Sequence, residues 1–186
     1  YEKKLQIPSG YKKVNTKIVD HISIVEKALS DEECDSIINA LKNKSQKKLK
    51  SPWNYKYYDL SDQEEYTLLN NVGGKLIESY KKNYPEINIT DDKWSLQRFR
   101  FKEFLPGKFY NAFHSEQGFS SPRLLSIIIY LSDHNCGTEF FNKTIIKSVK
   151  GRALVSPPFW THAHKGQPCP DNKHRYILSA YVDFEK

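Results

Sequence analysis

The spacing of apolar residues changes near residue 94. Before it they recur three or four positions apart; after it they alternate or run together. In the first half, Cys34, Ile37, Ile38 and Leu41 form one apolar stripe at helical spacing. Ser30-Asp31-Glu32-Glu33 just before it is a capping box: the Ser30 hydroxyl can accept from the third amide of the helix while Glu33 reaches back. A second box, Ser61-Asp62-Gln63-Glu64, opens another helix, with Leu69, Val72, Leu76 and Tyr80 on its buried face and Pro85 at its end. Between the helices, SPWNYKYYDL is aromatic and irregular, an edge strand or a loop.

From Trp94 onward, Gln97, Phe99 and Phe101 alternate with Arg98, Arg100 and Lys102, a period of two. Pro106-Gly107 marks a turn, and 109–116 is predicted as the next strand. LLSIIIYL, Leu124 to Leu131, is a continuous apolar run that suits a strand buried on both faces. Segments 138–141, 145–149, 153–156 and 175–184 complete the predicted strands. Many short strands after a helical lead-in predict an α+β fold: a double-stranded β-helix, or jelly roll, with the N-terminal helices packed on one sheet.

Composition narrows the classes. The 186 residues suit a single domain, 1–186, with a helical lead-in over 1–93 and a jelly-roll core over 94–186. No apolar run reaches the roughly 18 residues that a membrane helix needs, so no membrane partner is expected. No signal peptide is visible, although a chain that opens at Tyr1 and holds no Met leaves room for a trimmed leader. Cys34, Cys136 and Cys169 are too few and too far apart for a disulfide framework, and no CxxC pair is present. A reducing, cytoplasmic setting is therefore expected. The net charge of +7 comes largely from Lys-rich runs such as 42–50. No recognition motif accompanies it, so nucleic acid is not the expected partner. Oligomeric state stays open.

The candidate chemistry lies in the β half. His114 and Glu116 are two apart, so on a strand both point to one face. Neutral imidazole and carboxylate suit ferrous iron, and a second His from another strand would complete three ligands on one side, leaving the other side for a co-substrate and dioxygen. His164 and His162 share a parity, and either can supply that ligand. Arg175 opens the last strand; buried, it would require a carboxylate partner, which its planar fork matches. The Tyr130 hydroxyl can reach the same carboxylate, and Thr138 has a similar standing. Phe113, Phe119, Phe159 and Trp160 are candidates to line the mouth.

Several segments, taken together, resemble one family. KALSDEECDSIINAL is similar to its opening helix, LPGKFYNAFHSE to its metal-binding strand, and RLLSIIIYLSD to its Arg-led strand ending in Tyr-Leu. GTEFF, HKGQP and RYILSAY resemble its Gly-Thr segment, its distal His with GxP, and its co-substrate strand. The family is the prolyl 4-hydroxylase-like branch of the iron(II)/2-oxoglutarate-dependent dioxygenases, in its small bacterial and phage form. The resemblance implies that His114, Glu116 and His164 are the Fe(II) ligands and that Arg175 grips the far carboxylate of 2-oxoglutarate. Tyr130 would add a hydrogen bond there, with Thr138 and Tyr110 nearby. It further implies a peptide or protein proline as substrate, dioxygen as co-substrate, succinate as product, and ascorbate as an accompanying reductant. A free amino acid or other small molecule is the alternative substrate, and a non-catalytic jelly-roll binding module the more remote alternative.

The chain departs from the family pattern at a few positions. Glu116 stands where Asp is usual, Tyr110 is offset by one residue, the loop to Arg175 is longer, and Tyr181 stands where Trp is common. Nucleic-acid demethylases on this scaffold carry a second Arg six residues after the first; here that residue is Tyr181.

Overall fold

The structure, a computed structural model, describes residues 20–44, 47–48, 53–60, 64–89, 93–118 and 121–185. Helix α1, Asp31–Leu41, begins at the expected capping box: Ser30 Oγ accepts from Glu33 N at 3.1 Å and Ser30 N donates to Glu33 Oε2 at 2.8 Å. Its stripe of Cys34, Ile37 and Leu41 is buried. Helix α2, Glu64–Asn83, buries Leu69, Val72, Leu76 and Tyr80 as its spacing predicts. A 3-10 turn at Pro85–Ile89 follows it. Ser61, Asp62 and Gln63, expected to cap it, lie outside the described residues. No helix among the described residues is long and apolar enough to cross a membrane.

The strands are β1 (Ser23–Val25), β2 (Lys47–Lys48), β3 (Lys56–Asp59), β4 (Trp94–Leu96), β5 (Arg100–Phe104), β6 (Arg123–Tyr130), β7 (Gly137–Phe140), β8 (Ile145–Lys147), β9 (Ala153–Ser156), β10 (His164–Gly166) and β11 (Arg175–Phe184). The larger sheet has the order β1-β9-β6-β11-β5-β3-β2, with β4 also paired to β11. The smaller has the order β10-β7-β8. Every pairing is antiparallel. This is the expected jelly-roll arrangement with helices against one sheet. The part before residue 93 contributes β1, β2 and β3 to that sheet as well as the helices.

The larger sheet is buried on both faces, and the period of two divides their tasks. On β11, Leu178, Ala180 and Val182 join the core beneath α1 and α2, together with Leu125, Ile127 and Ile129 of β6 and Phe101 of β5. The alternate residues Phe104, Tyr130, Leu154 and Ile177 face the smaller sheet, where Phe140 and Ile146 meet them. The polar positions of β5 therefore do not all face water: Lys102 lies on the inner side because the second sheet covers it. Gly137 permits the close pairing of β7 with β8, since a Cβ there would collide with the carbonyl of Ile146.

Two expectations are corrected. The strand expected over 109–116 is absent; among the described residues its only ladder contact is an isolated bridge between His114 and His164. The segment spends its backbone groups on different partners, Tyr110 O accepting from Gly166 N and Glu116 N donating to Pro158 O, so no continuous ladder forms. The cysteines are not all unpaired. Cys136 and Cys169 form a disulfide, with Cα atoms 5.0 Å apart, because the fold brings the start of β7 beside the turn before β11. Cys34 is free and buried.

Leu178 is fully buried between the sheet and the helices. Leu178→Ala is expected to cost about 2–5 kcal/mol of stability, measured as a fall in the urea midpoint at unchanged m-value. A loss below about 0.5 kcal/mol would contradict this packing.

Candidate metal and co-substrate site

The antiparallel bridge sets the first part of the site. His114 N donates to His164 O and His164 N to His114 O, each at 3.0 Å, which holds the two imidazoles side by side with ring centres 4.6 Å apart. Each ring also lies against a backbone carbonyl: His114 Nδ1 is 3.2 Å from Ala112 O and His164 Nδ1 is 3.1 Å from His162 O. A carbonyl only accepts, so each Nδ1 carries its proton, and Nε2 of each ring is the atom turned to the third group, where it can ligate a metal or, on His114, hydrogen-bond Glu116. Both Nε2 atoms face one carboxylate oxygen, Glu116 Oε1, at 3.2 Å from His114 and 3.8 Å from His164. Three electron-pair donors aimed at one point require a cation between them, whether a metal ion or an added proton. Mixed imidazole and carboxylate is a donor set that suits iron(II).

The other carboxylate oxygen is already occupied. Tyr181 OH donates to Glu116 Oε2 at 2.6 Å, and the Arg123 guanidinium stacks on the Tyr181 ring at 3.7 Å while donating to the Glu116 carbonyl. Burial works against a charged Glu116. The His114 hydrogen bond, Lys102 and the Tyr181 hydroxyl outweigh it and hold the carboxyl well below its usual range. Burial, helped by the neighbouring His114, lowers His164 to about 4, so it is neutral and ready to ligate at ordinary pH.

Arg175 lies at the other end of the same cavity, 4 % exposed. Burial lowers its pKa to about 10. Among the described residues its Nη1 has only weak partners: Cys136 Sγ at 3.3 Å, Gly137 O at 3.5 Å and Cys169 Sγ at 3.8 Å. Its Nε has no hydrogen-bond partner among the described residues, and the Phe104 ring lies 4.5 Å from the guanidinium carbon. Gly166 makes room for it, since a Cβ there would stand 3.1 Å from Arg175 Nη2. A buried guanidinium without a carboxylate is costly, and its geometry matches one well.

Tyr130, expected to reach the co-substrate directly, instead donates to Thr138 Oγ1 at 2.7 Å, and Thr138 lines the cavity. With its oxygen accepting from Tyr130, the Thr138 hydroxyl has its own proton to give into the cavity. Tyr110 also lines the cavity and stacks on His114, with ring centres 3.8 Å apart. His162 is not in the converging set; its Nε2 bonds Asp20 O at 2.6 Å.

The aromatic candidates for the mouth divide. Trp160 is 81 % exposed, Phe113 packs edge-on to Phe141 with the cavity residue Lys165 over its ring, and Phe159 lines a separate cleft with Tyr80 and Leu124. Phe119 lies outside the described residues. Trp53, edge-on to Tyr110, had no sequence signal because it lies in an irregular stretch. Lys102 was hidden in an ordinary alternating pattern.

No family model matches the chain, and no curated protein matches it in sequence. Solved structures do match in fold. A viral collagen prolyl hydroxylase from Paramecium bursaria Chlorella virus-1, solved as its 2OG complex, is 20 % identical with a TM-score of 0.71, over 89 % of this chain and 97 % of that one. A Pseudomonas putida prolyl-4-hydroxylase is 12 % identical with a TM-score of 0.71, over 90 % and 94 %. A Trichoplax adhaerens prolyl hydroxylase, in complex with a hypoxia inducible factor oxygen degradation domain peptide fragment, is 13 % identical with a TM-score of 0.71, over 88 % and 84 %. The chain has the fold of these enzymes.

Tyr181 fixes which Glu116 oxygen is free. Tyr181→Phe is expected to weaken Mn2+ binding by about 10–100-fold, measured by calorimetry. An unchanged affinity would show that the hydroxyl does not orient the carboxylate.

Proposed function

We propose that this chain is an iron(II)- and 2-oxoglutarate-dependent dioxygenase that hydroxylates an unactivated C–H, with a proline in a peptide or protein as its substrate. The observation that carries this proposal is Arg175, a buried guanidinium without a carboxylate partner among the described residues, in the cavity where two imidazoles and Glu116 converge. A ligand with a metal-binding end and a far carboxylate satisfies both ends at once, and 2-oxoglutarate is such a molecule. The proteins that share this fold are prolyl hydroxylases, which supports the same class.

His114, Glu116 and His164 would hold the iron. When bound, iron and 2-oxoglutarate supply the activation of dioxygen, with decarboxylation of the co-substrate to succinate. Arg175 binds the far carboxylate as a planar fork. Thr138 donates a hydrogen bond into the same pocket, and Tyr130 orients Thr138. Phe104, Ile128 and Ile177 wall the cavity with apolar surface that excludes water. Tyr181 holds Glu116 in place, and its position lacks the second cation that a nucleic-acid demethylase would carry. Trp53 and Trp160 offer exposed aromatic surface on which a peptide proline can stack. Ascorbate is the accompanying reductant. An intact triad together with Arg175 argues against a purely structural binding module.

The test is turnover with Fe(II), 2-oxoglutarate and ascorbate, read both as succinate and as a mass gain of one oxygen, over Pro-containing peptides and free amino acids. Succinate coupled to peptide oxidation is expected; coupling to a free amino acid alone would select the small-molecule alternative. His114→Ala and His164→Ala are expected to abolish coupled succinate, and undiminished turnover would remove the assignment. Arg175→Met is expected to raise the KM for 2-oxoglutarate by roughly a hundredfold, since a charged hydrogen-bond pair contributes about 3 kcal/mol.

A further inference from the structure

Beyond Arg175 lies a second convergence of donor atoms that the proposed reaction does not use. One ligand atom from each of His134, Cys169 and Asp171 lies within 4.8 Å of the others. His134 sits in the loop between β6 and β7; Cys169 and Asp171 lie in the loop before β11. His134 is 4 % exposed. Its Nδ1 is 2.8 Å from Asp171 Oδ2 and its Nε2 is 2.9 Å from Ser132 Oγ. Ser132 Oγ already accepts from Tyr176 N at 3.1 Å and has a second lone pair for an Nε2 proton. Without an ion, Nδ1 donates to Asp171 Oδ2; with the ring proton on Nε2 and given to Ser132 Oγ instead, the Nδ1 lone pair is free for a cation shared with Asp171.

Both supports are built. Ser132 fixes the His134 ring, and Asp171 Oδ2 and Oδ1 accept from Asn135 N and Lys173 N, each at 3.4 Å. Cys169 Sγ stands 3.8 Å from Arg175 Nη1, on the side of Asp171. One sulfur, one imidazole nitrogen and one carboxylate oxygen suit zinc or another thiophilic divalent ion, not Mg2+ or Ca2+. A cleft of about 320 Å3, bordered by Asp133, Asn135 and Ser148, opens beside His134 and Asp171 with ample room for a water as fourth ligand.

Cys169 is joined to Cys136 in the structure, and a disulfide sulfur is not a thiolate ligand. We propose that in the reduced chain His134, Cys169 and Asp171 bind a zinc-class divalent ion, and that closure of the Cys136–Cys169 disulfide excludes it. An external dithiol breaks the S–S bond, giving up two electrons and two protons and closing to its own disulfide. Two protein thiols result. The ion then takes Cys169 as thiolate, and the thiol proton passes to solvent. The same exchange in reverse, with a disulfide as oxidant, releases the ion.

Co2+ is the probe, because a thiolate-to-cobalt charge-transfer band in the near ultraviolet reports sulfur ligation, and the His114, Glu116 and His164 set has no sulfur. The reduced protein is expected to show this band, and the oxidised protein none. Cys136→Ser leaves Cys169 free without a reductant and is expected to show it too, with Zn2+ abolishing it by displacement. Cys169→Ser is expected to lack it, and Asp171→Asn to weaken Co2+ binding by more than about tenfold. Cys34 cannot supply the sulfur, being fully buried with its thiol pushed up to about 11 by burial. Absence of the band from both the reduced protein and Cys136→Ser overturns the proposal, as does a band that survives Cys169→Ser. Neither result bears on turnover at the first site.

Discussion

A buried charge needs an opposite charge in contact, and Arg175 makes no ion pair among the described residues; the Asp171 carboxylate acts on it only from a distance. Its neighbours are two cystine sulfurs, a carbonyl oxygen and the Phe104 ring. Removing a guanidinium from water costs several kcal/mol that such partners do not return. The fold tolerates this because β11 is tied on both sides, to β6 along one edge and to β5 and β4 along the other. The positive charge at Arg175 and the crowding of lone pairs around Glu116 are complementary: one end suits an anion, the other a cation, and a single cavity joins them.

The same strand serves stability and chemistry through its alternation. Leu178, Ala180 and Val182 sit in the helix-side core, and between them Arg175, Ile177, Ser179 and Tyr181 face the other way. Tyr181 reaches Glu116 from this strand, so the residue that steadies one end of the site and the residue that waits at the other are fixed by one rigid element. Sites built on strands in this way hold their geometry better than sites built on loops. The smaller sheet contributes Thr138 from β7 and His164 from β10, and a single bridge from His164 to His114 aligns the two imidazoles without a full ladder.

Much of this was legible in the sequence. The capping box at Ser30, the stripes of α1 and α2, and the runs that became β6, β9 and β11 all carry local signals of propensity and period. His114, Glu116, His164 and Arg175 were legible as candidates because their residue types and order are unusual together, and the fold brings all four to one cavity. What escaped were features created by tertiary contact. Segment 109–116 reads as a strand, yet its hydrogen bonds go to Gly166, Pro158 and His164 rather than to one neighbour. Cys136 and Cys169 are 33 residues apart, and only the fold makes them partners. Lys102 looked like a solvent-facing member of an alternating strand until a second sheet covered it, and Tyr130 reaches the cavity only through Thr138.

The central claim is that one molecule bridges the metal-binding set and Arg175. Its most direct test is anaerobic titration of the Fe(II)-loaded protein with two keto acids that differ only at the far end, 2-oxoglutarate and 2-oxobutyrate, followed by the visible absorption of the iron–keto acid complex. The account predicts saturable absorption with 2-oxoglutarate and affinity for 2-oxobutyrate weaker by roughly a hundredfold, the worth of about 3 kcal/mol at the guanidinium. Equal affinity for the two would contradict it.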